Sequence, residues 1–215
     1  MIEKRGPVVA IDGPAGSGKT TLARRLAERL GLPFVTTGSM YRAVARRALE
    51  MGLDVEDAES LAETAGGISF SLGGHPPALR IDGAEPSPAL DAADVEAVVS
   101  AVARHPSVRS ILRDAQRRLG ADGCVMEGRD IGTVVFPDAD LKVFLEAAPE
   151  ERAARRTEER GTGGLAEALR RRDALDARTN PLEPALDAHP VDTTGRTPEE
   201  VLEEVVALAG EALGR

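Results

Sequence analysis

The stretch Gly13-Pro14-Ala15-Gly16-Ser17-Gly18-Lys19-Thr20 constrains this chain more than any other. It fits the pattern G-x-x-x-x-G-K-[ST], and its setting matters as much as its letters. The apolar run Val8-Val9-Ala10-Ile11-Asp12 before it reads as a short buried strand, and Lys19 to Leu30 after it reads as a helix stopped by Gly31. Glycines let a backbone wrap around an anion with no Cβ in the way. The exposed N–H groups and the helix N-terminus attract that anion. Lys19 can reach β- and γ-phosphates, and the Thr20 hydroxyl can ligate magnesium. Gly13 to Thr20, with the following Thr21, is therefore the candidate ATP-binding stretch. The same loop serves GTPases, motor proteins and transport ATPases, so it leaves open what is done with the nucleotide.

The rest of the chain alternates strand and helix, which argues for a parallel sheet with helices on both faces. Pro33 to Thr36 is a second short strand, followed by helices over Ser39 to Met51 and Asp57 to Thr64. The texture then changes. Ile68 to Leu72 and Leu79 to Ile81 alternate as strands do, with Gly73-Gly74-His75-Pro76-Pro77 as the turn between them. This small β insertion interrupts the pattern. Helices resume over Asp91 to Ala103 and Pro106 to Leu119, with strands at Cys124 to Glu127 and Leu141 to Leu145. Pro149 to Arg160 reads as helix, Gly161-Thr162-Gly163-Gly164 breaks it, and Leu165 to Ala177 resumes it. A loop over Thr179 to Pro190 leads to a last strand, Val191-Asp192-Thr193. The final helix announces its start with Thr197 as cap, Pro198 in the first position and Glu200 three residues after the cap.

At 215 residues the chain suits one α/β domain with a real core, built from Ala, Val, Leu and Ile because aromatics make up only 2%. The lone Cys124 lies in an apolar stretch, permits no intrachain disulfide and fits a reducing compartment. No apolar run approaches the roughly 18 residues of a membrane span. The N-terminal residues lack a signal-peptide pattern, so a cytoplasmic protein is expected. A net charge of −9 disfavours a general nucleic-acid-binding role. Clusters of arginine stand against that acidic background and suggest discrete anion sites.

Several residues near strand ends carry chemistry. Asp12 and Glu127 could each hold magnesium, although Asp12 could equally start a turn. Arg129 and Asp130 follow a buried strand, at the end where sheets of this class bind ligands, and could be a surface ion pair or a ligand clamp. Arg42 falls in the first turn of its expected helix, where a cation opposes the macrodipole, so either an anionic partner or simple exposure explains it. Arg152, Arg155, Arg156 and Arg160 precede the glycine break and Arg170, Arg171 and Arg172 follow it. They form a solvated face or a lid hinged at the glycines, and phosphoryl transfer needs both the cations and the exclusion of water.

Taken together, Ile11-Asp12-Gly13-Pro14…Gly18-Lys19, Thr37-Gly38-Ser39-Met40-Tyr41-Arg42, Ser100…Arg109, the run Glu127 to Pro137 and Arg172-Asp173…Asp176 resemble bacterial cytidylate kinases across essentially the whole chain. The Gly128 to Pro137 run is the most specific part. The resemblance implies the three-layer α/β fold of P-loop NTPases, with a helical lid over 150–172. It also implies a nucleoside monophosphate-binding subdomain over 37–120 that holds the β insertion near 66–90. It implies magnesium, ATP as donor and CMP or dCMP as acceptor, in a monomer with small-molecule partners only. Lys19, Arg129 and Arg156 would be catalytic. Arg42 and Arg129 would grip the CMP phosphate, with Thr37 at the position of a small hydroxyl residue. Ser100, Arg109 and Asp130 would read cytosine, while Arg172 and Asp176 would contact the ribose. Thr20, Asp12 and Glu127 would serve the metal. The sequence departs from the family pattern at Thr179, where an arginine facing the transferred phosphate is usual; Arg178, one residue earlier, is the candidate substitute.

The residues alone leave other readings: a small-substrate kinase acting on UMP, AMP or shikimate, a GTPase-type switch, or a non-catalytic ATP-binding module. The cytosine-reading trio separates the first, and the absence of an Asn-Lys-x-Asp motif counts against the second.

Overall fold

The computed structural model describes residues 6–160 and 183–214, apart from the side chains at 156 and 158–160. Strand β1 (Val8–Asp12) lies inside a seven-stranded sheet. On one side it pairs in parallel with β5 (Cys124–Glu127), which pairs in parallel with β2 (Phe34–Thr36). On the other it pairs with β6 (Leu141–Glu146), followed by the edge strand β7 (His189–Asp192), again in parallel. The β insertion does not form a separate sheet. Strand β4 (Ala78–Ile81) joins β2 through Phe34 and Ala78, and β3 (Phe70–Gly73) pairs antiparallel with β4, so the insertion prolongs the main sheet. The order is β3-β4-β2-β5-β1-β6-β7. The chain leaves β1 toward one side of the sheet and β6 toward the other, which opens a crevice at the carboxyl end of β1.

The alternation of β1 explains the layers. Val8 and Ala10 face one core with Cys124 and Met126, covered by α2 (Thr37–Glu50), α3 (Ala58–Gly66), α4 (Ala93–Ala103) and α5 (Pro106–Leu119). Val9 and Ile11 face the other with Val125, Val143 and Leu145, covered by α1 (Lys19–Leu30) and the last helix, α7 (Pro198–Leu213). Helix α7 starts as its sequence predicts: the Glu200 amide donates to the Thr197 hydroxyl at 3.3 Å and the Thr197 amide donates to Glu200 Oε2 at 2.8 Å. Arg25–Glu199 and Arg29–Glu203 ion pairs tie α7 to α1.

Three local expectations need correction here. The expected helix over Asp91 to Ala103 is broken: Pro88–Asp91 is a 3₁₀ turn, Ala92 is extended with ψ 151°, and α4 starts at Ala93. Ser87 caps the turn through a bond from the Ala89 amide at 3.2 Å, and Pro88 suits its first position. Gly73 belongs to β3 and not to the turn after it. Strand β7 begins at His189, because Pro190 is tolerated on an edge strand. After β5, Ile131–Val135 forms a single π turn closed by the Phe136 amide on the Ile131 carbonyl at 2.7 Å. Nothing in its β-branched sequence announces a helical turn. Helix α6 (Pro149–Arg160) is present as expected.

Candidate active site

The phosphate loop follows β1 into the crevice. Gly13 has φ +146°, and a Cβ there would lie 2.4 Å from the Leu145 carbonyl oxygen, so only glycine lets the loop leave the strand at this point. Lys19, 7% exposed, donates from Nζ to the Pro14 carbonyl at 2.6 Å, which folds its charge over the loop. The Ser17 hydroxyl donates to the same carbonyl at 3.0 Å. Thr20 and Thr21 lie exposed in the first turn of α1.

Glu127 ends β5 beside the loop and is buried. Its Oε1 accepts from the Thr20 hydroxyl at 3.3 Å and from the Thr36 hydroxyl at 2.5 Å. The buried Thr37 hydroxyl donates to the Glu127 carbonyl at 2.9 Å. Gly128 makes this approach possible, since a Cβ there would sit 2.6 Å from Thr37 Oγ1. Asp12 has a structural duty: its two oxygens accept the Ile131 and Gly132 amides of the π turn at 2.8 and 2.7 Å. Burial pushes its carboxyl up to about 6, against the pull of those two amides. Asp12 thus starts no local turn; it holds one more than a hundred residues away.

The π turn presents Arg129 and Asp130 just before it. Arg129 donates from Nη1 to the Gly13 carbonyl at 2.7 Å, which docks this segment on the phosphate loop. Asp130 pairs not with its neighbour but with Arg109 of α5, whose Nη2 lies 2.6 Å from Oδ2. Both side chains are largely covered, at 23% and 14% exposure. The sequence left Arg129–Asp130 open as an ion pair or a clamp; the pair that forms joins two of the three expected base readers. Ser100, the third, is half-buried on α4. Tyr41 lies near the Arg109 and Asp130 charges, and burial pushes its phenol up to about 12.

Helix α2 begins at Thr37, two residues before the expected start, so Arg42 lies in its second turn and the argument from the macrodipole fails there. Its side chain is 13% exposed and bound to two acids: Nη1 is 3.0 Å from Asp91 Oδ1 and Nη2 is 2.7 Å from Glu96 Oε2.

Helix α6 is not a uniformly solvated face. Arg152 donates to the Ala15 carbonyl of the phosphate loop at 3.1 Å. Arg155 binds Glu151, the Thr193 hydroxyl at 2.9 Å and the Thr193 carbonyl at 2.6 Å. The Thr193 hydroxyl, buried, also donates to the Ser17 carbonyl at 3.3 Å. Sequence reasoning missed Thr36, Thr193, Asp91 and Glu96; their partners lie far away in the chain, and none sits in a pattern that marks it. The Arg156 and Arg160 side chains, together with Arg170, Arg171, Arg172, Asp176, Arg178, the glycine break and the expected helix after it, lie outside the described residues, as does about half of the expected lid.

The arrangement places a buried carboxylate with two hydroxyls beside the phosphate loop, and Arg129 and Arg152 on that loop's carbonyls. The cytidylate kinase family model matches residues 9–211. The chain is 42% identical to a cytidylate kinase of Geobacillus kaustophilus, over 98% of this chain and 100% of that one. It is 44% identical to a cytidylate kinase of Streptomyces griseus, over 94% and 91% of the two chains. A crystal structure of a gluconokinase from Sinorhizobium meliloti shares the fold, with a TM-score of 0.54 at 17% identity over 98% of this chain and 97% of that one. No described helix is long and apolar enough to cross a membrane. A family match that runs from the first strand into the last helix, with relatives this similar at almost full length, means that the chain belongs to the cytidylate kinase family.

Proposed function

We propose that this protein transfers the γ-phosphoryl group of ATP to the phosphate of CMP, and of dCMP, releasing ADP and the nucleoside diphosphate. One observation carries the reading beyond family membership: Arg129 donates to the Gly13 carbonyl at 2.7 Å. The segment assigned to the acceptor therefore lies against the loop assigned to the donor phosphates.

An oxygen of the acceptor phosphate attacks the γ-phosphorus, and the bond from that phosphorus to the β–γ bridging oxygen breaks, with ADP keeping the electron pair. Such a transfer asks the protein for positioning and charge. The Lys19 ammonium is held by the Pro14 carbonyl close to where the β- and γ-phosphates would lie. Arg42 and Arg129 are assigned to the acceptor phosphate, Arg109, Asp130 and Ser100 to the base. Arg109 takes Asp130 Oδ2, which leaves Oδ1 to accept from the cytosine N4 amine while Arg109 offers its other N–H groups to N3 or O2. Uracil presents an oxygen in place of the amine, facing a carboxylate of like partial charge.

Magnesium fits the donor set. Thr20 and Glu127 bring a hydroxyl and a buried carboxylate within 3.3 Å, both hard oxygen donors suited to a small cation that keeps several of its waters. They would hold the ion directly or through water, and Asp12, already bound to two amides, would act from behind. When bound with ATP, the ion supplies neutralisation of charge on the β- and γ-phosphate oxygens. The acting unit in this reading is a monomer. The net charge of −9 supports small nucleotides over nucleic acid as partners. The buried Cys124 thiol, pushed up to about 12 by burial, suits a reducing cytoplasm.

The test is ADP release by the purified protein with CMP, dCMP, UMP, AMP, shikimate or no acceptor. CMP and dCMP are expected to support turnover far above the rate without acceptor. Turnover of AMP or shikimate with none of CMP would overturn the reading.

A further inference from the structure

Among the described residues, the Nε nitrogens of Arg42 and Arg113 are the buried side-chain atoms with no hydrogen-bond partner. A buried donor left unmet costs free energy unless something else meets it. Arg113 reaches only Ser110, at 3.4 Å, and makes no ion pair among the described residues. Arg42 differs: both terminal nitrogens are tied to carboxylates, and the Nε between them and the helix is left over.

We propose that Asp91 and Glu96 are positioning residues for the acceptor phosphate, acting through Arg42. The inference rests on the reading of Arg42 as a phosphate-gripping residue. A guanidinium is planar and carries five N–H groups in a fixed fork. Two bonds on different terminal nitrogens fix the direction of that plane, so Nε and the remaining N–H groups are aimed before a ligand arrives. The brace comes from two elements. Asp91 ends the 3₁₀ turn and Glu96 lies in the first turn of α4, with the extended Ala92 turning the chain between them. A continuous helix over Asp91 to Glu96 would put these residues five apart, about 140° around the axis, and could not aim both at one guanidinium so readily. The break after Asp91 therefore has a use, and the pair sits beneath Arg42 at 3.0 and 2.7 Å. Each carboxylate, by its own charge, also opposes a phosphate at Arg42. The contribution assigned to the brace is therefore orientation, and charge works against it.

That opposition gives the test a sign. Steady-state KM values for CMP and for ATP are measured in Glu96→Ala, Glu96→Gln, Arg42→Lys and the Arg42→Lys/Glu96→Ala pair. Loss of the brace in Glu96→Ala is expected to raise KM for CMP about tenfold, through a loosened fork, with KM for ATP unchanged. Glu96→Gln keeps an oxygen acceptor at the same reach and is expected to recover most of that loss. Once lysine replaces the fork, Glu96→Ala is expected to add nothing, because the two residues act through one group. A fall in KM for CMP in Glu96→Ala would mean that the acids merely occupy Arg42 as surrogate anions, and would overturn the proposal. So would an unchanged KM for CMP, or a parallel rise in both KM values, which marks general loosening of the fold. If Arg42→Lys itself keeps the wild-type KM for CMP, the reading of Arg42 fails, and the brace with it.

Discussion

Asp130→Asn tests the base-reading chemistry with the least change of shape. Asp130 Oδ2 receives Arg109 Nη2 at 2.6 Å. An asparagine keeps that bond by turning its carbonyl oxygen toward Arg109, which puts the amide NH₂ where Oδ1 stood. Cytosine then brings its N4 donor against a donor. The loss is one hydrogen bond to a charged acceptor, about 1.5–3 kcal/mol, or roughly ten- to 150-fold in kcat/KM for CMP. Uracil, by contrast, brings an acceptor to the new donor, so the CMP-to-UMP ratio is expected to narrow by about a hundredfold. The fold should hardly notice. The Arg109–Asp130 pair is largely covered, at 23% and 14% side-chain exposure, but its hydrogen bond survives, so the change from an ionic to a neutral acceptor is expected to cost about 1 kcal/mol. The assay is kcat/KM for CMP and UMP at saturating ATP, with KM for ATP and the melting temperature as controls. A CMP-to-UMP ratio equal to that of the wild type would refute the assignment of Asp130 to the base.

Lys19→Ala is expected to lower kcat by about 10²–10³ with the melting temperature little changed, as loss of one charge at the transferring phosphate does elsewhere; near-normal turnover would sink the role of the loop. Gly128→Ala places a methyl 2.6 Å from Thr37 Oγ1 and 2.7 Å from Ile131 Cδ1, so it is expected to destabilise the fold by about 1–3 kcal/mol and to weaken CMP turnover; unchanged denaturant midpoints would show that the two strand ends pack less tightly than described. Burial raises the Cys124 thiol from 9.0 to about 12, so it stays protonated in the folded protein at pH 8 and is expected to resist alkylation until denaturant is added. The sign of its linkage follows: the raised value contributes stability that is fully present below pH 9.0 and is lost as pH climbs toward about 12, so this thiol adds no pH dependence below pH 9.0 and makes unfolding progressively easier above it.

What could be read from the amino acids alone is what a few neighbouring residues decide. The phosphate loop is legible because its glycines, Lys19 and Thr20 act within one strand–loop–helix unit, and the structure places Val8–Asp12 and Lys19–Leu30 at the expected bounds. The start of α7 is legible for the same reason: Thr197, Pro198 and Glu200 satisfy one another across a single turn. That Asp12 and Glu127 end strands was legible too, from the apolar runs before them. Distant partners were not. Asp130 finds Arg109 across 21 positions, Asp12 holds amides 119 and 120 positions away, and Thr193 reaches Ser17 across 176. Such pairs form because the sheet order brings the carboxyl ends of β1, β5 and β6 side by side, and that order is a property of the packed core, not of any local run. The π turn after β5 belongs with them. Ile131 to Val135 has the composition of a strand, yet Asp12 binds its first two amides from below, and tertiary hydrogen bonds outweigh a local preference worth only fractions of a kcal/mol per residue.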